Sequence, residues 1–233
     1  MITAEILNLA AIIVFLGCIF IYGLKLKIGM KKPSAAKRGL LNTFYRQWVK
    51  TMSSRRNPIV AVQSMRNLIM SVTFLSSSIL VILGLLVRFN TSGIVELPAA
   101  TSFSLMDVGK YKMVVLSSTL FFSLMMFLLC LRHMVRFTIL IGIPYRDIEQ
   151  KGAEKIEASK QGKCDIDARD VQCDVFLKAM NRFTYGIRGV YYAVAVLIWF
   201  FDTTAFMVAT IAVTLLLIKY HDVKPPSTED TPI

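Results

Sequence analysis

Four long apolar runs, over residues 6–24, 68–87, 113–131 and 190–218, constrain this chain more than any other feature. A helix needs ~20 such residues to cross ~30 Å of hydrocarbon, and each run is about that long or longer. One run of this kind could be a buried core helix. Four of them in 233 residues leave too little other chain to cover them. The high mean hydropathy of +0.58 comes from these blocks. The expected fold class is all-α: a polytopic membrane helix bundle of about four membrane helices, one domain over residues 1–224 with a flexible tail at 225–233. The first run lacks the basic leader of a signal peptide, since the chain starts Met1-Ile2-Thr3-Ala4-Glu5 and its bases follow the run, at Lys25, Lys27, Lys31 and Lys32. It is expected to stay as a membrane helix.

The formal charge of +12 would suggest nucleic acid as the partner of a soluble protein. Here the bases gather between the runs, and membrane topology explains them better. Residues 25–66 carry eleven bases and no acid, residues 132–188 eleven bases and eight acids, and residues 88–112 only three bases. Short cytoplasmic loops are enriched in Lys and Arg. The two basic segments are therefore expected in the cytoplasm and the N-terminus outside a cell membrane, with anionic lipid headgroups as partners of the basic loops at ~1 kcal/mol per base near the surface. Of the four cysteines, Cys18 and Cys130 lie in apolar runs. Cys164 and Cys173 lack metal-ligand spacing and a neighbouring histidine, so reduced thiols and no metal are expected.

Between the first two runs, Leu41, Phe44, Tyr45, Trp48 and Met52 recur at helical spacing opposite Arg46, Lys50 and Arg55. This amphipathic helix lies either flat on the membrane surface or against the protein's own cytoplasmic part. Asn57-Pro58 reads as an N-cap followed by proline at the first helical position, so the second membrane helix is expected over residues 58–87. At 1.5 Å per residue that is about 45 Å, longer than the hydrocarbon, and its first turns extend into the cytoplasm. The third helix runs past Leu131 to Ile143 and stops at Pro144, extending inward likewise. Residues 147–174 read as a mixed-charge loop with short helices. The last run is too long for one untilted span and too short for two. Asp202-Thr203-Thr204, residues that favour helix N-caps, divide it if it breaks, and freed backbone groups would then need protein or a wet cavity around them.

On this topology Arg66 and Asn67 entering helix two, Arg132 leaving helix three and Arg188 entering helix four share one depth. Gln63, His133 and Arg136 lie within a turn or so. Arginine's planar fork pairs oxyanions in two-pronged fashion, so these seven residues are candidate binders of an anion or a lipid phosphate. Against this stands ordinary snorkelling of bases at an interface. Asp202 is the only acid inside an apolar run and a candidate cation or proton site, with helix capping as its structural alternative. The small polar sets Ser71, Thr73, Ser76, Ser77, Ser78 and Ser117, Ser118, Thr119, Ser123 allow close helix packing or could line a path. No Ser-His-Asp order, carboxylate pair, phosphate loop or metal cluster stands out. No catalytic residue, cofactor or nucleic-acid partner is expected.

Several of these residues also sit in recognisable strings. Ala61-Val62-Gln63-Ser64-Met65-Arg66-Asn67-Leu68-Ile69-Met70, with Thr73 and Ser76-Ser77, resembles the signature of the uncharacterised membrane family catalogued as domain of unknown function 599. Arg132 followed by Ile139-Leu140-Ile141-Gly142-Ile143-Pro144 is similar, as are Gly186-Ile187-Arg188 with Tyr191-Tyr192 and Trp199, the ending Lys219-Tyr220-His221-Asp222-Val223, and Trp48. The resemblance covers residues 44–222 and implies a multi-pass membrane protein without an assigned activity. Where the family tends to have Gly-Pro, this chain has Asp202-Thr203. That favours a helix break there over a general role for the carboxylate.

Two functions fit these readings. One is a homo-oligomeric channel or transporter with Arg66, Arg132 and Arg188 at its cytoplasmic mouth. The other is a structural or accessory subunit of a larger membrane complex. A lipid-directed enzyme fits least, having phosphate-binding bases but no nucleophile.

Overall fold

The computed structural model describes residues 2–31, 37–54, 59–91, 108–142 and 168–222. Among them the chain is all-α: α1 (Ile2–Lys31), α2 (Lys37–Ser54), α3 (Ile59–Thr91), α4 (Val108–Ile141), α5 (Ala168–Ile198) and α6 (Thr203–Leu216), with a final π-helical turn at Leu217–Asp222. Three stretches are long and apolar enough to cross a membrane: Ile6–Lys25, Ile59–Arg88 and Tyr111–Ile141. The Asn57-Pro58 cap, Cys164 and the tail at 225–233 fall outside the described residues. So does most of the expected loop at 147–174. Its last residues, however, open α5 instead of belonging to short loop helices. Cys173, Phe176, Leu177 and Met180 already follow helical spacing there, and Asp170 favours a helix N-terminus.

Contacts gather in two compact units, the first over residues 1–41, 78–124 and 186–233 and the second over 42–77 and 125–185. Helices α3, α4 and α5 each contribute one part to each unit.

In the first unit α1 packs along α6. Helix α1 is apolar all round, so its pattern alone selects no face. The structure buries Ala11, Phe15 and Tyr22, spaced to share one side. Phe15 meets the rings of Tyr192 at 6.0 Å and Phe206 at 5.7 Å. On α6, Phe206, Thr210 and Thr214 recur every fourth residue and are buried. The Thr214 hydroxyl bonds its own helix at the Thr210 carbonyl and also meets the Tyr192 hydroxyl at 3.1 Å. Helices α4 and α5 approach closely at small residues. The Ser123 hydroxyl donates to the Gly186 carbonyl, and a Cβ at Gly189 would stand 3.0 Å from the Ser123 Cβ. Ser123 is thus a packing residue, the first of the two roles open to its polar set.

In the second unit a hydrophobic core joins Val49 of α2, Ala61 and Met65 of α3, Phe137 and Ile141 of α4, and Cys173 and Phe176 of α5. Phe176 is its centre. It stacks on Trp48 at 5.3 Å, lies 4.8 Å from Phe137 and receives the edge of Tyr45 at 5.7 Å. The amphipathic α2 therefore lays Tyr45, Trp48, Val49 and Met52 on the protein's own core. Helix α4 ends in a turn in which the Gly142 N–H donates to the Ile139 carbonyl. Near this end the Leu140 carbonyl, in the last turn of the helix, accepts from Gln172 Nε2 at 2.9 Å.

Candidate functional site

The last apolar run is broken, which decides between its two readings. Helix α5 closes in a tight turn at residues 199–201, and α6 restarts at Thr203. Asp202 is extended at φ −150°, ψ 134°, and its carboxylate accepts from the backbone N–H groups of Thr204 and Ala205 at 3.2 and 3.1 Å. These are two of the donors a helix N-terminus leaves without partners. The carboxylate is exposed and acts here as an N-cap.

Side chains satisfy part of the backbone freed at the break. Lys112 Nζ donates to the Trp199 carbonyl at 2.7 Å and lies 5.6 Å from the indole centroid. Asn8 Oδ1 accepts from Trp199 Nε1 at 3.2 Å and from the Thr203 hydroxyl at 3.0 Å. Trp199 stacks on Phe206 at 4.7 Å. Sequence reasoning missed Asn8 and Lys112. The signal available was a lone amide in the first apolar run and a lysine at the head of the third.

The seven candidate binders divide between the units. Arg66, Asn67 and Gln63 on α3 and Arg132, His133 and Arg136 on α4 belong to the second unit, and Arg188 on α5 to the first. Gln63 and Asn67, four residues apart, share an exposed face of α3, and the exposed Arg66 projects about 100° away from Asn67 around the helix. Arg132 and Arg136, also four apart, are exposed together on α4. His133 is half-buried, its Nδ1 2.7 Å from the Leu129 carbonyl one turn back, so that ring nitrogen is occupied within the helix. Arg188 is buried at 4% exposure, its guanidinium 5.0 Å above the Tyr22 ring. That is a cation–π geometry, in which the ring face stabilises the desolvated charge.

The polar residues of α3 also divide by face. Ala61, Met65, Val72, Ser76 and Ile79 are buried on one side. Gln63 and Asn67 lie on the opposite, exposed side, with Ser71 and Ser78 exposed along its flank. Ser64, Ser71 and Thr73 return their hydroxyl protons to carbonyls four residues back, at 2.9, 3.0 and 2.9 Å, the way hydroxyls are satisfied where water is scarce.

The second unit also holds an open groove of about 670 Å³ between α2, α3 and α5. Phe44, Tyr45 and Trp48 form one wall and Phe176 and Met180 another. On α3, Met65 and Leu68 alternate with Ser64, Asn67 and Ser71. No ionisable group lines it apart from the Tyr45 phenol. Sequence reasoning had no means of finding it, because its walls come from helices far apart in the chain.

Beside this groove, the Cys173 Sγ–H points at the Arg46 carbonyl at 3.7 Å, and burial pushes the thiol up from its ordinary value. The thiol is therefore protonated near neutral pH and poorly nucleophilic. Arg46 and Asp174 form a surface ion pair at 3.5 Å, of the exposed kind that adds little stability. Among the described residues, no three His, Cys, Asp or Glu side chains gather to hold a metal ion.

A family model described as "Protein of unknown function, DUF599" matches residues 10–225. No curated protein and no solved structure matches the chain.

Proposed function

Since this chain belongs to the DUF599 family of unknown function, we propose that it is a multi-pass cell-membrane protein, not an enzyme, that works as a homo-oligomeric channel or transporter. The observation that carries this reading is the exposed polar side of α3, where Gln63, Asn67, Ser71 and Ser78 lie within or beside a stretch apolar enough to cross a membrane. A band of carboxamides and hydroxyls that runs from the membrane boundary into the apolar stretch supports contact between helices. A second copy of the chain, or an aqueous path between copies, is where they are accommodated. The chain on its own buries little of this stretch, which leaves room for such association.

The charge pattern orients the protein with its N-terminus outside and both basic segments in the cytoplasm. With the break at Asp202, α6 returns toward the side from which α5 came, and the C-terminus then lies inside. Arg66 and Arg132 flank the cytoplasmic mouth and favour anions there. Arg188 stands on Tyr22 and serves packing instead.

Anion flux from vesicles holding the purified chain tests the reading. The wild type dissipates an imposed chloride gradient, and Arg66→Ala with Arg132→Ala slows it several-fold. Equal flux in wild type and double variant removes the proposed mouth. The alternative, an accessory subunit of a larger membrane complex, draws on the same uncovered face and the lack of catalytic grouping. It predicts fixed co-purifying partners.

A further inference from the structure

The groove of the second unit shares Asn67 and Ser71 with the polar side of α3, but its other walls answer to a different chemistry. Its walls are rings, thioethers and alkyl groups, with two serines and a single carboxamide, Asn67. The Ser64 and Ser71 hydroxyls already donate to carbonyls of their own helix, so they offer no unused proton to a polar ligand. A volume of about 670 Å³ lies within the ~300–1,000 Å³ of small-molecule sites. These walls suit a long alkyl chain and reject a charged metabolite.

The position on α3 selects the source of that chain. Residues 64–71 fall in the first half of the apolar stretch Ile59–Arg88, which is 30 residues long. At 1.5 Å per residue it measures about 45 Å, against ~30 Å of hydrocarbon. The end that carries the groove therefore reaches the headgroup boundary, where lipid chains begin. The charge of the same region selects the headgroup. Residues 25–66 hold eleven bases and no acid, and Arg66, Arg132 and Arg136 are exposed in the same unit as the groove. We infer that the groove seats one acyl chain of an anionic phospholipid from the leaflet that meets the basic segment. Trp48 and Phe44 lie along the chain, Asn67 donates to the ester region, and exposed bases of the same unit hold the phosphate.

Trp48 is itself the reporter, because the chain has only two tryptophans. The full chain carrying Trp199→Phe is placed in nanodiscs of phosphatidylcholine, and chain-brominated phosphatidylglycerol or chain-brominated phosphatidylcholine is titrated in. Bromine quenches an indole only in contact. Half-quenching is expected at a mole fraction of phosphatidylglycerol about fivefold lower than of phosphatidylcholine, the factor that one base near the surface supplies. Ser71→Phe, which fills the groove, abolishes that difference while the protein keeps its melting transition. Ser64→Phe repeats the test from the adjoining position should Ser71→Phe fail to fold. Native mass spectrometry of the unsubstituted chain checks for one retained anionic lipid independently of the Trp199 change. Equal quenching by both lipids reduces the contact to bulk annular lipid and overturns the proposal. So does an unquenched Trp48, as when a second copy covers the groove, or full quenching that survives both filling variants.

Discussion

The two units are held together by different physics. In the first, polar and small residues set the geometry: Asn8 bridges Trp199 and Thr203, Lys112 holds the Trp199 carbonyl, Tyr192 meets Thr214, and Ser123 nests on Gly186 and Gly189. In the second, one aromatic cluster around Phe176 ties four helices together. The contrast fits the proposed topology, in which the first unit lies in lipid and the second reaches its cytoplasmic border. Lipid is as apolar as leucine, so helices immersed in it associate through close packing and hydrogen bonds. Helices that meet water gain from removing apolar rings from it. The first unit does contain rings, at Phe15 and Phe206, but each lies beside a hydrogen-bonded partner, Tyr192 or Trp199.

The contrast breaks most visibly at Phe176. Phe176→Ala should cost about 3–5 kcal/mol of the second unit's stability, read as faster amide exchange in α2 while α6 keeps its protection. Loss spread evenly over both units would dissolve the distinction. Next comes Gly189→Ala. Its new Cβ meets Ser123 at 3.0 Å, and overpacking of this kind costs about 1–3 kcal/mol. Adding Ser123→Gly should recover part of the loss if contact, rather than the altered helix propensity, is responsible. Lys112→Met comes third, at about 1 kcal/mol after allowing for exposure, measured as a lower melting temperature with Trp48 emission unchanged.

The smallest effect is at Cys173. Its thiol is raised by burial, so the neutral form is the one the fold favours. The associated stability is present below the unfolded pKa, near 9.0, and is lost as pH rises through the higher folded value. With the other three cysteines replaced by serine, alkylation of Cys173 should stay slow below pH 9.0 and accelerate above it. Rapid modification at neutral pH would show that the second unit opens easily.

Much of this architecture was legible in the sequence, and the reasons are local. Pro144 announces the end of α4, which closes at Ile141 with a turn at Gly142. Asp202-Thr203-Thr204 offers a cap inside an apolar run, and the structure uses it. Helix α2 shows its inward face because polar residues mark the other side. Helix α1 is apolar around its whole circumference, and nothing in its pattern says that Phe15 and Tyr22 turn inward. The partners of Asn8 and Lys112 lie 191 and 87 residues away, beyond the reach of any periodicity. The candidate binders were placed by assuming straight spans of equal depth. That assumption carries no information on burial, which separates Arg188 on its tyrosine from the exposed Arg66 and Arg132.

The most direct test of the account is the native mass of the chain in nanodiscs, with every co-purifying component identified. The account predicts a closed assembly of identical copies with a defined number. A stable, folded single copy, or a fixed complex with unrelated subunits, would contradict it.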